Sequence, residues 1–482
     1  MRLFIAEKPS MGMEIAKVLS NKNNKSLERS DGFISVGNDV VTWQFGHILE
    51  LKSASELDPQ YEKWSFDTLP IIPQNWQRKI KDDCVKQFNV IKKLIENTDE
   101  IIHAGDPDRE GELLIRETLI HLNNTKPVKR ILLNALDEKS ILYALDNLKD
   151  DSVFDNLYIS AEARTRADWL IGINLTRAYT LIGKDNGLTT SINIGRVMTP
   201  TFSLVVQREN EIRQFNATKY YSLTAIFICH KDDKVIFINS NITEGITKPP
   251  KRFTPATLLE AMKKIDKFVK APEVKAILKN VSGIGTEATR ASIIEKLLDK
   301  NFIAKDKQNL IPTKYGESIY KILPHFLKTP DITAIWENEL SKIAEGTGDV
   351  QKFLGGQIKI INEAIKQTKT LKLDIDMPKC PYCHSILRPV ISKKTNLKYW
   401  ICKNFSTAED SKCKKGIFSD KDDKPVLIHC NKCRKGYMKK NISKDNKIFW
   451  GCDNYPKCKN IMSDKNGLPN NSTNTKRKKL FK

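Results

Sequence analysis

The twelve residues from Ile101 to Glu112 constrain the fold of this chain more than any other stretch. Ile102 and Ala104 are typical of the end of a buried strand, and Gly105 opens a turn after it. Three carboxylates follow at alternate positions, and they belong to Asp106, Asp108 and Glu110. Carboxylates this close repel one another unless a cation lies among them, and their hard oxygen atoms suit Mg²⁺. The stretch therefore predicts a metal site for phosphate chemistry at the end of a strand.

Strand-like and helical segments alternate through the first 150 residues. A short apolar strand ends at Ala6 and leads through Glu7 and Lys8 into a helical stretch. This alternation favours a mostly parallel α/β sheet, whose ligands lie at the carboxyl ends of its strands. Because Glu7 follows one strand and the acidic turn follows another, we expect both to meet at one crevice.

The length of 482 residues is too great for one hydrophobic core, and it predicts roughly two to four domains. We find no apolar run of the roughly 18 residues that a membrane span needs. The N-terminal stretch carries charge too early for a secretory signal. We therefore expect a cytoplasmic protein without a membrane partner.

The net charge of +22 comes from 80 Lys and Arg residues against 58 Asp and Glu residues. A lysine-rich composition from an AT-rich genome explains part of this excess. A polyanionic partner is the other explanation, because binding of basic side chains to phosphates releases counterions. The acidic motif favours nucleic acid, since a metal site for phosphates needs cations around it.

The middle of the chain divides into three stretches. Residues 151–215 are mainly helical, residues 216–249 contain β strands, and residues 250–372 are again helical, with a helix start at Thr254-Pro255. A helix near residue 290 precedes a hairpin-like segment, which is typical of a winged helix that binds DNA. Plain packing is the alternative role for such a unit.

Eight of the ten cysteines lie in the last hundred or so residues and form an internal repeat. The first three members recur 50 positions later, and the two sets are Cys380, Cys383, Cys402 with Cys413, and Cys430, Cys433, Cys452 with Cys458. Such spacing indicates two Cys₄ zinc ribbons, at residues 378–420 and 428–465. Disulfides are the alternative, and a cytosolic setting argues against them.

Several residues of this region fall outside the proposed zinc ligand sets. His384 and His429 neighbour the ligands but are surplus, while Cys84 and Cys229 elsewhere are expected to be inert thiols. The lysines and aromatic residues of the ribbons suit single-stranded nucleic acid. Residues 466–482 are predicted to form a disordered basic tail.

These motifs resemble those of the type IA DNA topoisomerases, and the topoisomerase III branch fits best. The resemblance begins with Glu7-Lys8-Pro9-Ser10 and the DPDREGE stretch, which are similar to a Toprim domain. Further blocks follow in family order, namely RTRADW from Arg164, TRAYT from Thr176, GRVMTP from Gly195, GTEATR from Gly285 and YPKC from Tyr455. The resemblance implies a Toprim domain, a helical, winged-helix-like body with a shortened β arch at 216–249, and two zinc ribbons.

The resemblance also implies roles for individual residues. Glu7, Asp106 and Asp108 would bind Mg²⁺ with support from Glu110, and Glu7 and Lys8 would act at the scissile phosphate as general acid and cation. Five further residues fall where the family holds a single DNA strand, and they are Trp64, Trp169, Arg177, Lys184 and Arg196. Core packing is the alternative for the tryptophans, and salt bridges are the alternative for the arginines.

The expected partner is single-stranded DNA in the bacterial nucleoid or on a plasmid, with a helicase or another DNA-processing protein as a further candidate. The expected cofactors are Mg²⁺ and two structural Zn²⁺ ions. Met198 departs from the glutamine usual at that position of the family, so no hydrogen bond is expected from it.

The catalytic tyrosine of the family is not found in this sequence. The family sets it in a motif similar to I-T-Y-x-R-x-D between the GRV-x-TP and GTEATR blocks. Here Gly285 follows Pro200 by only 85 positions, which is a small part of the usual separation. None of the twelve tyrosines has the required neighbours, and Tyr220 and Tyr221 lack a following Arg-x-Asp. Cleavage through a 5′-phosphotyrosine needs that nucleophile.

Three hypotheses follow. The chain is an internally deleted topoisomerase III homologue that binds DNA and Mg²⁺ without cleaving, with the junction between residues 235 and 250. Alternatively, a partner chain or an unrecognised tyrosine supplies the nucleophile. The third hypothesis is a Toprim nuclease that uses the metal alone.

Overall fold

The computed structural model describes residues 1–470 except for 187, 189, 230–234, 270, 281–282, 286, 372, 374–377, 392–397, 407–412, 423, 444 and 446. The chain forms two compact units. The first combines Met1–Ala178 with Asn193–Thr370, and the second combines Tyr179–Ile192 with Leu371–Lys482. In the described part of the chain, no helix has the length and apolar character that a membrane crossing requires.

The N-terminal part of the first unit is an α/β domain. Its strands are β1 (Arg2–Ala6), β2 (Glu28–Ser30), β3 (Phe33–Val36), β4 (Asp39–Trp43), β5 (Leu49–Leu51), β6 (Arg78–Ile80), β7 (Glu100–Ala104), β8 (Val128–Arg130) and β9 (Lys149–Asp150). Its helices are α1 (Pro9–Asn23), α2 (Ala54–Leu57), α3 (Val85–Glu96), α4 (Arg109–His121) and α5 (Glu138–Asp146).

Seven of these strands form one sheet in the order β2-β3-β4-β1-β7-β8-β9, while β5 and β6 pair separately. Strands β4, β1, β7 and β8 run parallel, as the alternation of strands and helices predicts. Alternate side chains of β1 enter two cores, one with α1 and α5 and the other with α3 and α4. Helices therefore cover both faces of the sheet, and its carboxyl edge remains available for a site.

The rest of the first unit is mainly helical. Its helices are α6 (Asp155–Asp185, whose last residues belong to the second unit), α7 (Met198–Arg213), α8 (Pro255–Lys263), α9 (Pro272–Asn280), α10 (Glu287–Asp299), α11 (Lys314–Ile322), α12 (His325–Lys328), α13 (Asp331–Ala344) and α14 (Val350–Thr368). Two hairpins interrupt them, and these are β10 (Lys219–Cys229) with β11 (Val235–Ile246) and β12 (Ile303–Asp306) with β13 (Asn309–Pro312).

The predicted helix start at Thr254-Pro255 is confirmed. The Thr254 hydroxyl accepts a hydrogen bond from the Thr257 backbone N–H, and Pro255 occupies the first turn, where no N–H is needed. The helix–hairpin order expected near residue 290 is also present, with β12 and β13 following α10. Thr286 of the GTEATR block lies outside the described residues.

The second unit contains two four-stranded antiparallel sheets that repeat one plan. The first comprises β14 (Leu387–Ile391), β15 (Lys398–Cys402), β16 (Ile417–Lys421) and β17 (Lys424–Pro425), and the second comprises β18 (Met438–Ile442), β19 (Ile448–Cys452), β20 (Ile461–Lys465) and β21 (Leu468–Pro469). Each buries a tryptophan whose indole N–H donates to an aspartate, in the pairs Trp400–Asp420 and Trp450–Asp464, both at 2.7 Å.

The structure moves two predicted boundaries. Strand β17 carries the first repeat to Pro425, and β21 carries the second to Pro469, beyond the predicted ends at residues 420 and 465. Backbone pairing of a short terminal strand, which residue composition does not reveal, explains both differences. The predicted disordered tail therefore loses its first residues, and residues 471–482 lie outside the described part.

Candidate functional site: an acidic loop and an arginine-lined cavity

The carboxyl ends of β1 and β7 bring Glu7 and Asp106 together, as expected for neighbouring parallel strands. The Asp106 backbone N–H donates to Glu7 Oε2 at 3.0 Å. Lys8 Nζ donates to Asp106 Oδ2 at 3.1 Å. Two acids that are 99 positions apart in sequence thus share one crevice with a lysine.

The other two carboxylates of the acidic stretch have different surroundings. Asp108 caps helix α4, where its Oδ1 accepts the Gly111 backbone N–H at 2.8 Å. Glu110 lies in the first turn of α4 and lines a neighbouring cavity. A side chain at Gly111 would lie 2.4 Å from the Asp106 carbonyl oxygen, so the loop and the helix approach closely only because of glycine.

The charge states of this loop suit acid and cation roles. Partial burial raises the pKa of Glu7, since desolvation disfavours its charged form; the hydrogen bond from the Asp106 backbone N–H opposes this rise, and the Asp106 carboxylate charge adds to it. The hydrogen bond to Asp106 raises the pKa of Lys8, which keeps its ammonium group charged. The loop thus combines a carboxyl group that retains its proton to higher pH with a fixed positive charge.

The residues present fit a Mg²⁺ ion through their chemistry, since Glu7, Asp106 and Asp108 offer carboxylate oxygens at one sheet edge. Their oxygens do not form a compact ligand group in the described residues, where such groups consist of two sets of four cysteines and a buried His103 set. The Lys8 ammonium group donates a hydrogen bond to the Asp106 carboxylate, and the Gly111 backbone N–H donates one to the Asp108 carboxylate. A bound cation would therefore compete with these two hydrogen bonds.

A buried arginine holds the acidic loop from behind. The Arg130 side chain is fully buried, and its guanidinium donates to the carbonyl oxygens of Gly105 at 2.8 Å and Asp106 at 2.7 Å. It also donates to the His103 carbonyl at 3.2 Å and ion-pairs with Glu112 at 2.9 Å. One side chain thus fixes the loop backbone through a fork of N–H donors.

The buried set of His103, Glu112 and Asp151 has its ligand atoms close together but contains its own positive charges. Arg130 pairs with Glu112, and Arg116 Nε lies 2.8 Å from both Glu112 Oε1 and Asp151 Oδ2. Burial lowers the pKa of His103 to about 4, so the imidazole is neutral at pH 7. Two arginines therefore balance two carboxylates, and this set is a scaffold rather than a metal site.

An arginine-lined cavity of about 230 Å³ adjoins helix α4. Its lining includes His47, Arg109, Glu110, Arg164, Asp168 and Arg196. Glu337 of α13 pairs with Arg109 and lies 3.7 Å from both Arg164 and Arg196. Although burial acts to raise the pKa of Glu337, these three arginines hold it below its ordinary value.

The cavity arginines have unmet capacity for an anion. Burial, followed by repulsion from Arg196, lowers the pKa of Arg164. Arg109 Nη1 and Arg196 Nη1 are buried, and neither has a hydrogen-bond partner in the described part of the chain. Buried donors without partners are uncommon, and an anion in the cavity would satisfy them. Sequence reasoning missed Arg109, Glu337 and Arg130, because only the fold brings them to these positions.

The residues predicted to hold DNA fall into separate places. Arg196 is buried and makes a two-pronged pair with Asp168 at 2.8 and 3.1 Å, while its guanidinium lies over the Trp336 ring. Arg196 therefore makes the salt bridge that was the alternative to DNA binding, and it also lines the cavity. Arg177 is buried against Trp64, with its guanidinium 5.0 Å from the ring centroid.

The remaining two predicted residues lie elsewhere. The Trp169 indole N–H donates to the Lys52 carbonyl at 3.2 Å, and its ring packs edge-on against Trp76 at 5.4 Å. Lys184 lies in the last turn of α6, is exposed and belongs to the second unit. Trp64 and Trp169 are both half-buried, which leaves part of each ring accessible.

Both predicted cysteine sets come together in the second unit. The Sγ atoms of Cys380 and Cys413 are 3.6 Å apart, and those of Cys383 and Cys402 are 3.3 Å apart. In the second set the Cys430–Cys458 and Cys433–Cys452 distances are 3.8 and 3.6 Å. Four thiolates around Zn²⁺ at about 2.3 Å would lie about 3.8 Å apart, so both sets fit a tetrahedral metal. His429 bonds to the Tyr437 hydroxyl instead.

Two family models match the chain. The Toprim domain model matches residues 2–136, and the DNA topoisomerase model matches 152–236 and 226–355. The two topoisomerase segments meet within the β10–β11 hairpin. The acidic loop thus lies in the first matched domain, and Arg164, Arg196 and Glu337 lie in the second.

Proteins named DNA topoisomerase 3 are similar to this chain. The Salmonella typhimurium protein is 45% identical over 239 residues, which are 48% of this chain and 36% of the relative. The Pasteurella multocida protein is 38% identical over 265 residues, covering 54% of this chain and 40% of the relative. The Staphylococcus epidermidis protein is 38% identical over 224 residues, which are 46% of this chain and 30% of the relative. The chain therefore spans well under half the length of these relatives.

Proposed function

Because this chain belongs to the type IA DNA topoisomerases, in the topoisomerase III branch, we propose that it binds single-stranded DNA and Mg²⁺ but cannot cleave DNA alone. The observation that carries the proposal is the coexistence of the Glu7–Lys8–Asp106 crevice with a cavity wall that contains no tyrosine among its described residues. The groups that would bind a metal and a phosphate are in place, and the described lining of the cavity offers no tyrosine to use them.

The acidic loop supplies the metal part of this function. Glu7 and Asp106 with Asp108 would hold Mg²⁺, which when bound would neutralise charge on a phosphate. Lys8 adds a fixed positive charge beside Asp106, and the raised pKa of Glu7 suits proton donation to a leaving oxygen. Arg130 keeps the loop backbone in place for these side chains.

The arginine-lined cavity supplies the DNA part. The Nη1 groups of Arg109 and Arg196, which have no hydrogen-bond partner in the described part of the chain, and the neighbouring Arg164 favour a backbone phosphate. Glu110 connects the cavity to helix α4, which begins at the acidic loop, so a strand in the cavity would place a phosphate near the metal. Trp64, Trp169, Arg177 and Lys184 would add ring and charge contacts along the strand.

Two zinc ribbons complete the proposal. The two cysteine sets with their short four-stranded sheets would each bind a structural Zn²⁺, which supplies the folding free energy that so small a core lacks. The helix–hairpin unit of α10, β12 and β13 would serve as the winged helix of the body. The site of action would be DNA in the bacterial cytoplasm.

Fluorescence anisotropy with a labelled single strand and Mg²⁺ tests the DNA part. We expect Arg164→Gln to weaken binding roughly tenfold and to lower the salt dependence by about one phosphate contact. Arg166→Gln is the matched control, because Arg166 lies on the same helix but pairs with Glu162 and packs near Trp76. Equal effects of both variants would contradict a phosphate site in the cavity.

The same preparation decides between the alternatives. Supercoiled plasmid incubated with the protein and Mg²⁺ should remain supercoiled. Slow nicking that Asp106→Asn abolishes would favour the Toprim nuclease, and relaxation would favour an active topoisomerase.

A further inference from the structure

The β10–β11 hairpin presents one apolar face that this chain leaves exposed. Alternate residues of a strand point to one side, and the register places Leu223 opposite Ile242 and Phe227 opposite Phe237. Tyr221 continues the same face. The opposite face is mixed, because Ser222, Thr224 and their partners share it with the exposed Tyr220 and Ile226. The pairs Leu223–Ile242 and Phe227–Phe237 are therefore the apolar cross-strand pairs of the first face.

The apolar face is not buried by the described residues. Leu223 is 69% exposed, Ile242 is 71% exposed and Tyr221 is 64% exposed. Phe227 and Phe237 pack edge-on at 5.7 Å, and each remains more than half exposed. An apolar cluster of this kind marks an interaction surface, and a two-stranded hairpin has little stability without one.

The position of the family match identifies the occupant. The two segments of the topoisomerase match meet within this hairpin, and the aligned parts make up only 36% and 30% of the Salmonella typhimurium and Staphylococcus epidermidis relatives. We propose that a second polypeptide, which carries the topoisomerase segment between the two matched parts, binds to this apolar face. This inference rests on the proposed function. The partner would also bring the tyrosine.

Co-expression tests this docking. The corresponding middle segment of the Salmonella typhimurium topoisomerase 3 is tagged and co-expressed with the full chain, and the complex is purified and weighed by light scattering. We expect a one-to-one complex with the wild type and at least a tenfold lower yield with the double variant L223T/I242T. The control T224S changes a residue on the opposite face and should leave the yield unchanged.

Two results would overturn the docking proposal. One is absence of a complex with the wild-type chain, and the other is a homodimer of this chain that L223T/I242T dissolves, which would make a second copy the occupant. Anisotropy with single-stranded DNA is measured on each preparation. Normal DNA binding without complex formation contradicts the docking site alone, whereas lost DNA binding contradicts the proposed function.

A separate observation concerns the two ribbons, whose ligand loops are bonded to each other. Tyr382, between Cys380 and Cys383, donates its hydroxyl to Asp453 Oδ2 at 2.5 Å, and Asp453 directly follows Cys452. Lys415 Nζ donates to Asn454 Oδ1 at 2.7 Å. The loop after Cys452 of the second ribbon is therefore hydrogen-bonded to two segments of the first ribbon, one beside Cys380 and Cys383 and one beside Cys413.

A shared aromatic cluster reinforces these bonds. The Tyr382 ring lies 5.4 Å from Tyr437 and 6.2 Å from the fully buried Phe418. The Tyr437 backbone N–H also donates to Asp453 Oδ1 at 3.0 Å. Packing from both repeats therefore meets beside both cysteine sets.

Resting on the zinc part of the proposed function, we infer that the two metal sites bind Zn²⁺ with positive coupling. Zinc in one set orders its ligand loop, and that loop supplies contacts that order the other set. Loss of metal from the second ribbon would free Asp453 and Asn454, and the first ribbon would lose its Tyr382 and Lys415 partners.

Zinc affinity of the first ribbon, measured by chelator competition on the full chain, tests the coupling. Cys458→Ser removes a ligand of the second ribbon and should weaken zinc binding at the first by roughly fivefold or more. Tyr382→Phe should reduce the coupling, whereas Tyr455→Phe, at an exposed tyrosine of the second ribbon, should not. Unchanged affinity of the first ribbon in Cys458→Ser contradicts coupling, as does a single-zinc species dominating native mass spectra at half saturation.

Discussion

The acidic loop and the β10–β11 hairpin belong to the same unit of this chain but differ in how completely it supports them. Behind the loop, Arg130 donates to backbone carbonyls of Gly105 and Asp106 and pairs with Glu112. Behind the hairpin face, Leu223 and Ile242 remain largely exposed. The acidic loop is thus supported by buried partners, whereas the apolar residues of the hairpin are exposed in the described part of the chain.

This difference separates two parts of the chain, one whose side chains are held by buried partners and one whose apolar side chains are exposed. The residues that hold the acidic loop, including Arg130 and Glu112, lie within the part that matches the Toprim domain, residues 2–136. The hairpin lies where the two matched segments meet, and its apolar residues are exposed in the described part of the chain. Under the proposed function, metal and DNA binding would need only this chain, while cleavage would need a further segment.

The largest expected effect is on stability and comes from removing the buried arginine behind the acidic loop. Arg130→Met leaves Glu112 with one of its two arginines and deprives several carbonyl oxygens of their donor, so we expect a loss of about 3–5 kcal/mol in the free energy of unfolding. Urea denaturation followed by circular dichroism measures it. A loss below about 1 kcal/mol would mean that the loop does not depend on this arginine.

The next effect concerns the metal itself. Asp106→Asn removes a carboxylate at the partly exposed loop, so Mg²⁺ binding should weaken by roughly tenfold or more while the unfolding midpoint stays near that of the wild type. Isothermal titration measures the affinity. Glu50→Gln, at an exposed acid on β5, is the control, and equal Mg²⁺ affinity in both variants would contradict the assignment.

A pH dependence follows from Glu7. Its pKa is raised by burial, so it holds its proton at a pH where an ordinary glutamate has lost it. Because Mg²⁺ binds the ionised form, affinity should fall as the pH drops through this raised pKa, several-fold across the acidic range. Glu7→Gln should flatten this part of the profile, and an unchanged profile would exclude Glu7 from the metal site.

The smallest effect belongs to the hairpin. Ile242→Thr exchanges an exposed β-branched residue for another, so stability should change by no more than about 0.5 kcal/mol. Binding of a hydrophobic dye should decrease, because the apolar face shrinks. A loss of several kcal/mol would show that the face is covered within this chain and would remove the contrast between the two regions.

The sequence supported much of this picture. Strand and helix alternation predicted the parallel sheet and the meeting of Glu7 with Asp106, and cysteine spacing predicted both metal sets, because local patterns determine both. The spacing of the carboxylates did not indicate that α4 begins within the stretch, so that Asp108 caps this helix and Glu110 lines the cavity.

The long-range partners were beyond sequence reasoning. Glu337 meets Arg109 across 228 positions, and no local pattern marks either residue for that pair. Arg130 reads as an ordinary basic residue at the end of a short strand, and only its burial shows its role. The sequence predicted β strands at residues 216–249, but the solvent exposure of Leu223 and Ile242 depends on the surrounding fold.

The most direct test asks whether this chain can attack DNA without help. A labelled single strand is incubated with the purified protein and Mg²⁺, the reaction is stopped with detergent, and protein-linked DNA is resolved on a denaturing gel. We predict a clear mobility shift under native conditions and no band of linked DNA after denaturation. A peptide of this chain joined to a 5′ DNA end through a tyrosine oxygen would contradict the account.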